Sequence, residues 1–239
     1  MRLYLQALVL AAGISAAVFS PAVGAENKSL TLIELFTSQG CSSCPPADAL
    51  LGELAKRDDV VALSVHVDYW DYIGWKDRFA SPENTKRQRR YAKYLGMRYV
   101  YTPQMVIQGA DHATGSDRAK VLKKIDAATK LGRLAVRVRR HGDGFRVSVP
   151  AGAAEEAAVW MAVFDARHDT KIKRGENSGR TLSYYNVVRA MTRIGTWSGK
   201  PLDITTKDSD MSADGRDGCA VIVQSIKTGR ILGVARVDL

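Results

Sequence analysis

The sequence predicts a small α/β layer domain followed by a β-sandwich-like domain. Two patterns lead there. Before residue 131, apolar runs of strand length alternate with stretches whose apolar residues recur at helical spacing. From Leu134 onward apolar and polar residues alternate, and long helical periodicity is missing.

The elements follow in order. Leu30–Thr37 is an apolar run of the length of a buried strand. Ala47, Leu50, Leu51 and Leu54 fall at i, i+3, i+4 and i+7, one face of a helix. Val60–Val67 reads as a second buried strand. A long insert around 69–100 carries Trp70, Trp75 and a basic helical stretch. Met105–Ile107 is a third strand, and Ser116 is the expected cap of a helix with Val121, Leu122 and Ile125 on one face. In the second half, Leu134–Val138 and Phe145–Val149 flank Gly142-Asp143-Gly144 and predict a hairpin. Val159–Val163, Leu202/Ile204, Ala220–Gln224 and Ile231–Val237 continue the strands, and the Glu176–Arg189 stretch reads as a loop at a domain interface or partner site. The division is a leader over 1–25, an α/β domain over 26–131 and a β-rich domain over 132–239.

Composition sets outer bounds. With 46% hydrophobic and 25% charged residues, the chain is neither disordered, collagen-like nor a coiled coil. A formal charge of +10 is a solubility feature before it is evidence of a partner. The leader reads as a secretory signal: Arg2, an apolar centre through Leu8–Ala12 and Val18-Phe19, Pro21, then small residues Val23-Gly24-Ala25 before a cut at Glu26. No later segment approaches the length of a membrane-spanning helix, so no stable span remains after cleavage. The expected location is periplasmic or secreted, an oxidising setting in which a cysteine pair holds a disulfide.

Cys41-Ser42-Ser43-Cys44 carries the chemical signal. The pair ends a buried strand and opens a helix, with Pro45 and Pro46 in the first turn, where a missing N–H costs little. A helix N-terminus carries about half a positive charge and stabilises a thiolate. Cys41, expected to be the more exposed, is then the attacking thiol and Cys44 the resolving one. A lone C-x-x-C also fits half of a zinc site or an inert structural disulfide; the strand–CxxC–helix context favours redox chemistry.

Phe36–Cys44 together with Tyr101–Ile107 resembles the thioredoxin superfamily. The resemblance implies a thioredoxin-like fold for the first domain, a Cys41–Cys44 disulfide, a cis peptide at Thr102-Pro103, substrate backbone pairing at Thr102, and Pro103 shielding the thiols from metals. More closely, Ile33–Asp48, His66–Asp71, Gly74-Trp75, Gly175–Leu182 and Asn186–Arg189 resemble the domain-of-unknown-function family 1223. That family consists of secreted bacterial proteins with a thioredoxin-like half and a β-rich half, without an assigned substrate.

Four further features have two readings each. His66 and Asp68, at the carboxyl end of a parallel strand, suit a proton relay or plain burial. Trp70 suits a substrate floor or a cover for the insert. Lys86, Arg87, Arg89, Arg90, Lys93 and Arg98 read as a solvated helix face, or as a patch that steers anions; no nucleic-acid-binding motif accompanies them, so no nucleic acid partner is expected. Cys219 is read as a buried small hydrophobe, with an intermolecular bridge or a third redox thiol as the other reading.

The sequence therefore predicts a secreted or periplasmic thiol–disulfide oxidoreductase acting on protein or small-molecule disulfides or thiols, with no organic cofactor and no resident metal. Two alternatives stand beside it. One is a soft-metal module in which Cys41, Cys44 and His66 hold copper or zinc. The other is a non-catalytic interaction protein with a structural disulfide. A cis Pro103 against an accessible Cys41 sulfur would make the exchange reading strong; with a buried Cys41 that reading fails.

Overall fold

A computed structural model describes residues 30–207 and 216–238. The expected signal segment and its cleavage point lie outside the described residues. Uniform burial explains the central strands. In β1 (Thr31–Thr37) and β2 (Val60–His66), which pair in parallel, every residue is buried, so both faces of the sheet are covered. Helix α1 (Pro45–Leu54) connects them, and β3 (Gln104–Ile107) runs antiparallel on the other side of β1, followed by β4 (Asp111–Thr114). Helix α3 (Arg118–Thr129) joins α1 over one face, where Ile33, Leu35, Ala62, Leu51, Val121 and Ile125 share a core. Its cap is Asp117, whose side chain accepts from the Lys120 N–H, rather than the expected Ser116; a carboxylate one residue later answers the same open N–H groups.

The insert forms a single 3-10 turn (Asp71–Ile73) and helix α2 (Pro82–Tyr94), capped by Ser81. The second half supplies β5 (Arg137–His141), β6 (Gly144–Val149), β7 (Ala157–Lys171), β8 (Thr181–Trp197), β9 (Leu202–Lys207), β10 (Gly218–Ser225) and β11 (Ile231–Asp238). Much of the Glu176–Arg189 stretch, expected as a loop, is the first half of the 17-residue strand β8. Strand β8 lies parallel to β2 at Ser64↔Val187, so one eight-stranded sheet, ordered β11-β10-β7-β8-β2-β1-β3-β4, runs through both halves. It curls until Ile222, Ile231 and Val234 pack with Leu32, Phe36 and Leu63. A separate three-stranded sheet, β5-β6-β9, lies over β7 and β10 and shares with them a core containing Val147, Val159, Trp197 and Val221. The architecture is mixed α/β with a large sheet and few helices. No helix among the described residues is long and apolar enough to cross a membrane.

Candidate functional site

Cys41 and Cys44 are joined by a disulfide at the start of α1, with Cys44 as N-cap residue and Pro45 and Pro46 opening the first turn. The sequence gives this geometry directly: the prolines cannot donate, and a helix start asks for no donation. Ser42 and Ser43 face solvent, and the Cys41 Sγ lies 3.5 Å from the Ser43 Oγ.

The accessible Cys41 sulfur expected from sequence is not found. Cys41 is 1% exposed and Cys44 0%. Two segments account for this. The tip joining β7 to β8, residues 172–180, places Asn177 against the loop before the pair. Its buried Nδ2 donates to the Gln39 and Cys41 carbonyls, each at 3.0 Å. Arg180 holds Asn177 in turn through its Oδ1, at 2.8 Å. From the insert, Trp70 and Ile73 press on Gly40; a Cβ there would stand 3.2 Å from each side chain. Gly175 lets the tip approach: its φ is +75°, and a Cβ would meet Trp75 at 3.3 Å. The indole of Trp75 completes the roof by donating to Gln39 Oε1 at 2.8 Å.

The expected site residues fall in three places. The Thr102-Pro103 peptide is cis, Pro103 is buried, and the Trp70 indole donates to Thr102 Oγ1 at 2.7 Å. Asp68 faces α2, where it accepts from the Thr85 hydroxyl at 2.5 Å. His66 lies fully buried on the α1 face of the sheet, its Nδ1 2.6 Å from Asp77 Oδ2. Among the described residues no three His, Cys, Asp or Glu side chains are grouped to hold a metal ion, so the Cys41, Cys44 and His66 set of the soft-metal alternative is not assembled. Cys219 is fully buried among Phe145, Met161 and Val163, and burial pushes its thiol up to about 12.

Sequence reasoning missed three partners of His66. Asp77 accepts from His66, from the Gln39 N–H and from the Phe79 N–H. Burial alone would raise its carboxyl, yet His66 and these donors hold it below the usual carboxylate range. Asp48, one helical turn beyond Cys44, accepts from the Thr37 hydroxyl at 2.8 Å through Oδ1, while its Oδ2 is buried without a partner. Burial pushes Asp48 up to about 7, with His66 and Thr37 pulling against the rise and Asp77 adding to it. Tyr184 on β8 stacks edge-on to His66, with ring centroids 4.8 Å apart, and its hydroxyl is also buried and unpartnered. Burial, then the charges of Asp48 and Asp77, hold the Tyr184 phenol well above its ordinary value. The His66 Nε2 is the third unpartnered atom of this cluster. Asp48 had a signal in the sequence: it precedes Leu51 by three on the apolar face of α1.

The family model for proteins of unknown function, DUF1223, matches residues 32–224. The chain belongs to this family. A crystal structure of a protein from Agrobacterium tumefaciens is similar at 35% identity and a TM-score of 0.78, covering 87% of this chain and 94% of that one. HBP35 of Porphyromonas gingivalis is similar in fold alone, at 12% identity and a TM-score of 0.55, covering 89% of this chain and 76% of that one. No curated protein matches the sequence. The DUF1223 match spans the disulfide, the insert and the tip carrying Asn177, so every residue of the roofed site lies within the family region.

Proposed function

We propose that this DUF1223 chain is a thiol–disulfide oxidoreductase with a thioredoxin-like first half, working in the periplasm or outside the cell. Cys41 attacks or is attacked, and Cys44 resolves the mixed disulfide. Thr102 and Pro103 border the substrate, and Trp70 fixes Thr102. The observation that carries the reading is the buried Asp48 carboxyl one turn beyond Cys44, with a free oxygen and a proton affinity near neutrality. When the disulfide is reduced, two thiols need protons, and when it re-forms they release them. A carboxyl that titrates near pH 7 is suited to that exchange.

As the chain is folded here, the buried Cys41 fails the accessibility that exchange asks for, so the proposal requires an opened state in which the 172–180 tip swings aside and a substrate sulfur can approach. Asn177 is the clasp. In Asn177→Ala, loss of its two bonds raises the open population about tenfold for each ~1.4 kcal/mol removed. Reduction of the pair by dithiothreitol is expected to accelerate by that order, and Cys41→Ser is expected to lose all exchange with a disulfide substrate. Unchanged exchange in Cys41→Ser would sink the proposal.

A second reading, a structural disulfide, is favoured by the burial of both sulfurs. A pair that stays oxidised at the glutathione poise and is reduced only on global unfolding would establish it.

A further inference from the structure

The basic run of α2 is not uniformly a solvated face. Arg87 turns inward and binds Glu34 through two nitrogens, at 2.5 and 3.0 Å. Beside it, between α2 and strands β7, β8 and β10, lies a cavity of about 180 Å³. Its floor is Arg87, Tyr91 and Gln224, and its walls carry Arg90, Trp160 and Arg193. None of these residues touches the disulfide environment; the cavity lies on the sheet face opposite α1.

The polar capacity of this cavity is one-sided. Arg87 is neutralised by Glu34. Arg90 stands with its guanidinium 5.8 Å from the Trp160 ring, and no carboxylate bonds to it among the described residues. Arg193 sits directly across from Trp160 in the β7–β8 register, and among the described residues it bonds to neutral oxygens, Gly195 O at 3.4 Å and Thr196 Oγ1 at 2.8 Å. The buried indole N–H of Trp160 has no acceptor. Among the described residues no acidic side chain lines the cavity. An adjoining cavity of about 360 Å³ shares Arg87, Arg90 and Trp160, but its other charges are largely matched: Lys86 lies 3.7 Å from Glu83, and Arg189 pairs with Asp165. The unmatched positive charge is thus concentrated at Arg90 and Arg193, on a floor fixed by a fully bonded network.

We propose that this cleft binds a small organic oxyanion, a carboxylate or a phosphate ester, whose oxygens are held by Arg90 and Arg193 beside the face of Trp160. Guanidinium groups hold such oxyanions in bidentate fashion, and partial burial strengthens each charge-assisted bond. Partial burial and the neighbouring Arg87 charge lower the proton affinity of Arg90 from its ordinary value, and an anion beside it would act in the opposite direction.

The test uses the full chain and three probes: phenyl phosphate, benzoate and inorganic phosphate, followed by isothermal titration and by tryptophan fluorescence. Saturable binding of at least one probe is expected, weakening with added salt. Arg90→Gln and Arg193→Gln are each expected to lower the affinity about tenfold, the range of one charge-assisted bond, with Arg90→Lys intermediate. Neither arginine belongs to the buried core, so the variants are expected to keep the fold, as circular dichroism would verify. Preference for phenyl phosphate over benzoate assigns a phosphate ligand, and the reverse assigns a carboxylate. Absence of saturable binding by all three probes, or equal affinity in the Arg90→Gln/Arg193→Gln double variant, overturns the proposal.

Discussion

Two buried polar clusters lie on opposite faces of β1 and β2, and they are built to different rules. On the α2 face, Glu34, Arg87, Tyr91 and Gln224 form a closed network. Arg87 donates to Glu34, Gln224 and Tyr91, Tyr91 donates to Glu34, and Gln224 donates to Tyr91 and to the Gly229 carbonyl. None of its side-chain atoms is left unpartnered. On the α1 face, Asp48, His66, Asp77 and Tyr184 form an open one, with three atoms that lack partners. Buried polar groups are normally satisfied, and each exception asks for a reason. The closed network is what a sheet needs to carry a charge inside its core. The open one begins at Asp48, one turn beyond Cys44 on α1, and keeps three buried atoms without partners among the described residues.

The difference can be broken from the closed side first. Arg87→Met leaves Glu34 buried without its counter-charge, and a loss of about 3–5 kcal/mol in unfolding free energy is expected by urea titration at pH 7. A loss under 1 kcal/mol would mean that the network is not the structural unit described.

Asp48→Asn is expected to act in the opposite direction. The Asp48 carboxyl has a folded pKa near 7 against an ordinary value of 3.8. Below pH 4 it is protonated in both states and carries no penalty. Between about pH 4 and 7 the unfolded chain releases the proton that the folded chain keeps, so stability falls as pH rises, and the full penalty stands above pH 7. Three pKa units correspond to about 4 kcal/mol as an upper figure. Asp48→Asn should therefore raise the melting temperature at pH 8, leave it nearly unchanged at pH 4, and slow thiol exchange. An unchanged pH profile of stability would remove Asp48 as the titrating group.

The finest comparison uses one atom on each side. Tyr91→Phe deletes a hydroxyl with three hydrogen-bonded partners and should cost about 1–3 kcal/mol, because those partners are left buried and unpaired. Tyr184→Phe deletes a hydroxyl with no partner and should be neutral within about 0.5 kcal/mol, or slightly stabilising. Equal losses in the two variants, measured by denaturant unfolding, would show that the open cluster is closed by a partner of its own.

Local geometry was legible in the sequence, and convergence was not. Cys41, Cys44, the helix start and the Pro103 position are set by residues close together in the chain, so spacing exposes them. The central strands are legible because both faces are buried and the runs are uniformly apolar. Strand β8 escaped because its outward positions carry Ser183, Tyr185, Arg189 and Arg193, and its two bulged steps against β7 break the alternation. Asp77 and Tyr184 reach His66 from the insert and from β8, 11 and 118 positions further on, and no short pattern announces such meetings. Arg87 did leave a trace: it stands four residues before Tyr91, on the helix face that this tyrosine marks as buried.

The parallel step between β2 and β8 carries a further consequence. Strand β2 is buried along its whole length, with β1 on one side and β8 on the other. Were the chain cut after residue 131, the uncovered flank of β2 would become a row of free N–H and C=O groups flanked by Val61, Leu63 and Val65, an adhesive template for any extended chain nearby. The second half thus serves the first as a built-in chaperone for that flank. Dissecting this protein into separately expressed halves should yield aggregates unless β8 travels with the thiol-bearing half.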